Sequence, residues 1–511
     1  MSAAILVAYF MLLGVLSLLG LHRLLLVFRR PRPPGTARGR APAPARPERV
    51  LVQLPLYNEA LVAGRLLRAV ARLRHPTSHL HLQILDDSDD GTRAMVDGTA
   101  AELRRQGLRV DVVRRPTRDG FKAGALAEGL RRAPQAEVVA IFDADFVPPA
   151  DFLERTLPVL ASASDVGMVQ ARWTHLNREA SWLTRAQAVF LDGHFAVEHA
   201  ARDAAGAPFN FNGTAGVWRR AAIEDAGGWH GDTITEDLDL SYRAQLAGWR
   251  FRYLDDATAP AELPESWSAF RSQQARWVRG SIQTARKLSR RVARSERFGW
   301  RARGGALLHL WNNLAYGLMA GLALLLPLAL VLREELGWRV PGGRPLLGAL
   351  DLGMLGAGTL AVATFYLAAV RRVGEPLLGR LPDVLVALCV GAGMSLSNAR
   401  EALRGFGTGP AEFVRTPKAG DARSGRPRYR ARTRWAVATV ELVAALAYAG
   451  VAAYAVWWQV WGALPFLALY GVGFGAVGGG TLLESWRRGA SERSALPKLV
   501  EADDLGASRR R

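Results

Sequence analysis

The stretch VVAIFDADFVPP, residues 138–149, ends an apolar run in two acids, in a chain whose formal net charge is +20. A Val- and Ile-rich run that stops before Pro reads as a buried strand, so Asp143 and Asp145, two apart, would face the same way at its mouth. Two carboxylates so placed suit a divalent cation such as Mg2+ or Mn2+. An isolated Asp-x-Asp can equally begin a loop, because acids are common at strand ends. Similar clusters end two earlier apolar runs: Tyr57, Asn58 and Glu59 after RVLVQL, and Asp86 and Asp87 after HLQIL. Acids at such a strand end can accept hydrogen bonds from a base and ribose, although DDSDDG also makes a turn. Lys122, following Gly120 at the start of a helical pattern, is placed to meet phosphate oxygens beside a helix N-terminus; alone it would read as a surface lysine. Gln273, Arg276 and Trp277 fall at i, i+3 and i+4 and share one face of a helix. Trp suits the apolar side of a pyranose and Arg can bind a diphosphate in bidentate fashion. The flanking Arg271, Arg279, Arg286 and Lys287 fit a helix lying on a membrane surface.

Elements must bring these residues together. Strand-like runs at 49–54, 81–85, 108–113, 137–142 and 167–172 alternate with helical patterns such as 59–74. That alternation predicts an α/β fold with a doubly wound parallel sheet, whose ligands bind beyond the carboxyl ends of the strands. Three of the clusters above lie at such ends.

Half of the 511 residues are apolar, unevenly spread. The run from Ala3 to Phe28 is long enough to span a bilayer, as are residues 305–332, 346–370, 434–457 and 460–485, which predicts an integral membrane protein. Basic residues follow the first run rather than precede it, so it reads as an uncleaved anchor with Met1 outside. The Arg-rich stretch RRPRPPGTARGRAPAPARPER borders that span and marks a cytoplasmic side; no base-reading module accompanies it, and no nucleic-acid partner is expected. Counting residues 377–398 as a sixth span would put the Arg-rich loop 399–433 outside, and its uninterrupted apolar part, Val384 to Leu396, has only thirteen residues. Five spans plus an interfacial or re-entrant segment are therefore expected, with Trp457, Trp458 and Trp461 in an outer aromatic belt. The lone Cys389 permits no internal disulfide and agrees with a reduced compartment. The resulting division is an anchor (1–30), a Pro/Arg-rich linker (31–48), a catalytic domain (49–260), interfacial helices (261–303), a transmembrane region (304–486) and a cytoplasmic tail (487–511).

Between the first and second spans stand LPLYNE, LDDSDDGT, RDGFKAGAL, FDADF, FNGTAGVWR, TITEDLDLSYR and QQARWVRG. In this order they resemble the processive membrane glycosyltransferases of the cellulose-synthase superfamily, most closely the cellulose-synthase-like mannan and glucomannan synthases, over roughly residues 49–420. The resemblance implies a cytosolic, Rossmann-like GT-A domain that binds a nucleotide sugar, fused to helices that receive or export the product. It assigns the metal to Asp143 and Asp145, and the nucleotide sugar to Tyr57, Glu59, Asp86, Asp87, Lys122, Gln273, Arg276 and Trp277. FNGTAG, with Asn212, Gly213 and Thr214, looks like the acceptor-side loop, although Gly213 and Gly216 alone would read as a plain turn. A sugar nucleotide leaves as a diphosphate, so a cation can neutralise the developing charge and no protonating acid is needed. The acceptor hydroxyl does need its proton removed, and the resemblance gives that task to Asp237, beside Glu236. Thr235-Glu236-Asp237 is also a helix N-capping pattern. FVRTPK, residues 413–418, resembles the mobile gating loop, with Thr416 and Lys418 in place and Arg415 where Val is usual. The stretch after Arg487 is too short for the cyclic-dinucleotide-binding domain of some bacterial relatives.

The expected function is an inverting, metal-dependent synthase extending a β-linked hexose polymer from GDP-mannose or UDP-glucose and passing it through its own helices. The alternatives are a lipid glycosyltransferase adding one sugar, and an inactive membrane scaffold, against which the intact acids, Lys122 and Q-x-x-R-W set argue. Composition suggests a bacterial inner membrane, with lipids and an export partner as neighbours.

Overall fold

The computed structural model describes residues 2–29, 47–336, 343–407 and 435–487. Seven strands form: β1 (Val50–Leu56), β2 (Leu80–Asp86), β3 (Arg109–Val113), β4 (Val138–Ile141), β5 (Val166–His175), β6 (Gly216–Arg219) and β7 (Arg250–Ala261). They make one sheet in the order β3-β2-β1-β4-β6-β5-β7. β1 pairs in parallel with β2 and with β4, setting Leu54 opposite Ile84 and Val52 opposite Ala140. Every residue of β2 and β4 is buried, as strands covered on both faces must be.

The helices in chain order are α1 (Ser2–Val27), α2 (Ala63–Val70), α3 (Thr92–Arg105), α4 (Phe121–Arg132), α5 (Phe152–Leu160), α6 (Trp182–Asp192), α7 (Ala200–Ala204), α8 (Arg220–Asp225), α9 (Glu236–Ala247) and α10 (Trp267–Ala293). Then come α11 (Trp300–Trp311), α12 (Ala315–Leu336), α13 (Gly343–Arg372), α14 (Leu377–Gly393), α15 (Ser395–Gly405), α16 (Trp435–Trp457) and α17 (Leu464–Phe474). Leu66, Val96 and Phe152 of α2, α3 and α5 share one core with Val52, Leu54 and Ile84. Leu126, Ile223 and Leu240 of α4, α8 and α9 share the other with Leu51, Ile141 and Trp218. The sheet is thus wound on both faces, as the alternation predicts.

It is not wholly parallel, however. β6 runs antiparallel to both neighbours, β4 and β5, while β7 is parallel to β5. The loop 209–215 lies at the carboxyl edge of the sheet, so the strand that follows it must run back. The helix predicted over 59–74 is shorter: Tyr57 to Glu59 stay in the turn after β1, with Asn58 at φ +57°.

Among the described residues, five helical stretches are long and apolar enough to cross a membrane: Ser2–Val27, Trp300–Leu332, Gly348–Arg372, Trp435–Trp457 and Trp461–Arg487. α14 and α15 are bent by 50° against each other where the sequence predicts the interfacial segment. α1 crosses α13 closely: Ser17 Oγ donates to the carbonyl of Met354 at 2.8 Å, and a Cβ added at Gly20 would sit 2.8 Å from the Gly358 carbonyl oxygen. Residues 31–46 of the linker, 408–434 of the predicted gating loop, including Thr416 and Lys418, and 488–511 lie outside the described residues.

Candidate active site

A cleft opens at the carboxyl ends of β1, β2 and β4. Tyr57, Glu59, Asp87, Lys122, Asp143 and Asp145 line its sheet side. α4 follows Gly120, whose φ of +67° lets the chain turn sharply into the helix, and Lys122 therefore reaches across the strand ends. Its Nζ donates to Asp143 Oδ1 at 2.5 Å and to the Gly213 carbonyl at 2.9 Å. The ammonium meets the first acid of the Asp-x-Asp pair, the loop 209–215 and, in its field, Glu236 and Asp237. Burial lowers the Lys122 pKa, but attraction from Asp143 and those acids outweighs it and leaves the pKa raised. Burial raises the Asp143 pKa, with Lys122 opposing.

Asn212, Gly213, Glu236, Asp237, Gln273, Arg276 and Trp277 line the opposite side. Gly213 has φ +82°, and a Cβ there would lie 3.1 Å from Asp237 Oδ2 and 3.4 Å from Lys122 Nζ. The loop thus passes between the two only because this residue has no side chain. Asn212 is fixed by its N–H on Gln170 Oε1, at 3.0 Å, and by its Nδ2 against His194 Nε2, at 2.9 Å. Burial and mutual repulsion raise the pKa of Glu236 to about 7, and burial, opposed by Lys122, raises that of Asp237 to about 6. At about 6, Asp237 is a stronger proton acceptor than a free Asp while still mostly ionised at neutral pH.

Two predicted contacts take other roles. Asp86 is fully buried and accepts from Arg114 Nε at 2.9 Å and from the Ser88 N–H at 3.1 Å, so it braces the turn after β2 and leaves the cleft wall to Asp87. Thr214 is buried, its Oγ1 accepting the Asp143 N–H at 2.9 Å. It holds the Asp-x-Asp turn from below. Thr235 does not cap α9 with its side chain; its hydroxyl meets Thr284 Oγ1 of α10 at 3.1 Å instead. Three of the four basic residues around Q-x-x-R-W have partners within the protein. Arg271 is buried in a pair with Glu441, Lys287 binds Asp232 and Asp239 at 2.8 and 2.9 Å, and Arg286 donates to the Phe406 carbonyl at 2.6 Å. Of the four, Arg271 is the buried one, whereas Arg286, like Arg290 and Arg291 farther along α10, stays exposed.

Sequence reasoning missed Arg118, whose guanidinium stacks 3.2 Å from the centroid of the Tyr57 ring at the cleft, and Trp173 and His175 at the end of β5. Arg118 stands four residues before Lys122 in a stretch already singled out. Extending the β5 pattern to His175 would have found the other two. Away from the cleft, His230, Asp232 and Asp239 bring three ligand atoms within 4.8 Å of one another. The Lys287 ammonium and the Arg243 guanidinium, 2.7 Å from Asp239 Oδ2, already supply their positive charge.

Residues 47–280 match the family described as glycosyltransferase like family 2. A probable glucomannan 4-beta-mannosyltransferase 10 of Arabidopsis thaliana is 43% identical over 251 residues, 48% of this chain and 46% of that protein. Glucomannan 4-beta-mannosyltransferase 1 of Oryza sativa subsp. japonica is also 43% identical over 251 residues, 48% of each chain. The chain spans about half the length of the curated relatives it matches. Among solved structures, the mannosyltransferase PcManGT from Pyrobaculum calidifontis in complex with GDP-Man and Mn2+ aligns with a TM-score of 0.49 and 23% identity, over 73% of this chain and 99% of that one. Residues 47–280 therefore form a family-2 glycosyltransferase domain of mixed α/β architecture, followed by several helices able to cross a membrane.

Proposed function

We propose that this family-2 glycosyltransferase domain works as an inverting hexosyltransferase of a membrane-embedded β-glycan synthase. It would build a mannan or glucomannan from GDP-mannose, or a glucan from UDP-glucose, and pass the chain through the apolar helices. One observation carries the reading: Lys122, Asp143, Gly213 and Asp237 meet at a single cleft whose far wall is Gln273, Arg276 and Trp277. The relatives named glucomannan 4-beta-mannosyltransferases, at 43% identity, support mannose and a polymeric product.

Asp143 and Asp145 offer hard oxygen donors on the cleft wall, a set that fits a divalent cation. When bound there, the cation would supply neutralisation of charge on the departing diphosphate. In this reading Lys122 and Arg276 bind the diphosphate oxygens, Asp87 and Tyr57 hold the nucleoside, and Trp277 stacks on the acceptor sugar. Asp237 accepts the proton of the acceptor hydroxyl as that oxygen bonds to the sugar's anomeric carbon. The bond from that carbon to the diphosphate breaks, its electron pair leaves with the nucleoside diphosphate, and the configuration inverts. The catalytic domain faces the cytoplasm, where nucleotide sugars are made.

Purified protein given radiolabelled GDP-mannose or UDP-glucose is expected to yield alcohol-insoluble label that a β-mannanase or β-glucanase releases. Chloroform-soluble label instead would overturn polymerisation in favour of a lipid acceptor.

A further inference from the structure

The helix that carries Gln273, Arg276 and Trp277 is fastened at its first turns to the last two apolar helices. Arg271 Nη1 and Nη2 meet Glu441 Oε2 and Oε1 of α16 at 2.5 and 3.1 Å, with Thr481 Oγ1 3.4 Å away. The side chains are 5% and 0% exposed. One turn earlier, Ser268 offers its N–H and its hydroxyl to the two oxygens of Glu484, at 3.2 and 2.9 Å. The Trp267 indole lies against Gly480, where no side chain would fit. These partners all belong to Trp435–Trp457 or Trp461–Arg487. Farther along, α10 touches the start of α9: a Cβ at Gly280 would fall 2.5 Å from Thr235 Cγ2, immediately before Glu236 and Asp237.

We propose that Glu441 is a positioning residue: through its two-point grip on Arg271, α16, with the stretch Trp461–Arg487 beside it, sets where α10 presents Gln273, Arg276 and Trp277 to the cleft. Taking two charges out of water is costly, and an apolar pair of similar volume would hold the helices together at least as well. What a bidentate pair adds is geometry, because two parallel bonds fix both the rotation and the axial position of α10. A shift of α10 leaves Tyr57, Asp87 and Lys122 on the sheet side in place; it displaces Trp277 from the acceptor and Arg276 from the diphosphate, and since hydrolysis and transfer share the Arg276 contact, the loss peculiar to transfer is that of acceptor placement. The proposal rests on the reading of Gln273, Arg276 and Trp277 as substrate contacts.

The readout is the ratio of donor hydrolysis to sugar transfer, measured on the full-length protein in proteoliposomes with labelled GDP-mannose and UDP-glucose. Loss of folded protein lowers both rates together and leaves this ratio unmoved. Glu441→Gln is expected to raise it at least about tenfold, as misplacement of a reacting group does. Because that variant leaves Arg271 buried beside a neutral partner, the double variant Arg271→Met/Glu441→Leu is measured beside it. It is expected to melt near the wild-type temperature yet show the same raised ratio, and Ser268→Ala to move the ratio in the same direction. A wild-type ratio in the folded double variant would overturn the proposal and make the pair a mere tether. A wild-type protein that transfers no sugar from either donor would instead overturn the substrate-contact reading, and this proposal with it.

Discussion

Asp237 sits under opposing pressures, burial raising its proton affinity and the Lys122 ammonium lowering it. Its proposed role as base predicts that Asp237→Asn, nearly the same in shape, binds nucleotide sugar with near-normal affinity and loses transfer by at least about a hundredfold. Isothermal titration with a non-transferable donor analogue, beside turnover, separates the two effects. The same assignment fixes the sign of the pH dependence. The base must be unprotonated, so transfer is expected to fall as pH drops through about 6, with the donor Kd changing less. A pH–rate profile flat from pH 7.5 to roughly 5 would remove Asp237 from this role. At Gly213 the backbone itself is under constraint, with φ +82° and Asp237 Oδ2 3.1 Å from where a Cβ would stand. Gly213→Ala should cost roughly 1–2 kcal/mol of stability for the left-handed backbone, read as a lower melting temperature. It should also reduce transfer, because the methyl pushes Asp237 from Lys122.

Among the elements, α9 and α10 matter most, since together they bring Asp237 and Trp277 to one cleft. Gly280 of α10 packs against Thr235, the residue just before α9, with no room for a side chain. Gly280→Ala is expected to pry them apart, reducing transfer at least about tenfold while donor affinity changes less, because Tyr57, Asp87 and Lys122 keep their places on the sheet side and only Arg276 moves with α10. Unchanged turnover in that variant would show that the contact is slack. The strands β1, β2 and β4 were legible in the sequence, because each is a short run of Val, Ile and Leu ending in acids. Lys122 was legible for the same reason, its Gly and helix start being local. β6 was not: four residues, GVWR, carry no period, and their antiparallel sense is set by the loop before them. Asp86 and Asp87 look alike in sequence, and only Arg114 and Arg115, 28 residues on, decide which of them is drawn inside. The role of Arg271 depends on a partner 170 residues away, beyond the reach of any local pattern.

For the whole molecule, the expectation is a catalytic domain on the cytoplasmic side with the Trp457, Trp458 and Trp461 belt opposite. With Cys389 first replaced by Ser, a cysteine at exposed Ser78 should resist an impermeant thiol reagent in intact cells, whereas one at exposed Gln459 should react. Labelling of the Ser78 variant without lysis would reverse the orientation. The crossing of α1 and α13 bears on how such a protein is made. Ser17 meets Met354 across 337 residues of sequence, and at roughly 10 residues per second a ribosome needs about half a minute to supply that partner. The whole nucleotide-sugar sheet is synthesised in the interval. During that time the Ser17 and Gly20 face of α1 waits for its mate on α13, so the sheet is expected to fold before the apolar helices close around α1.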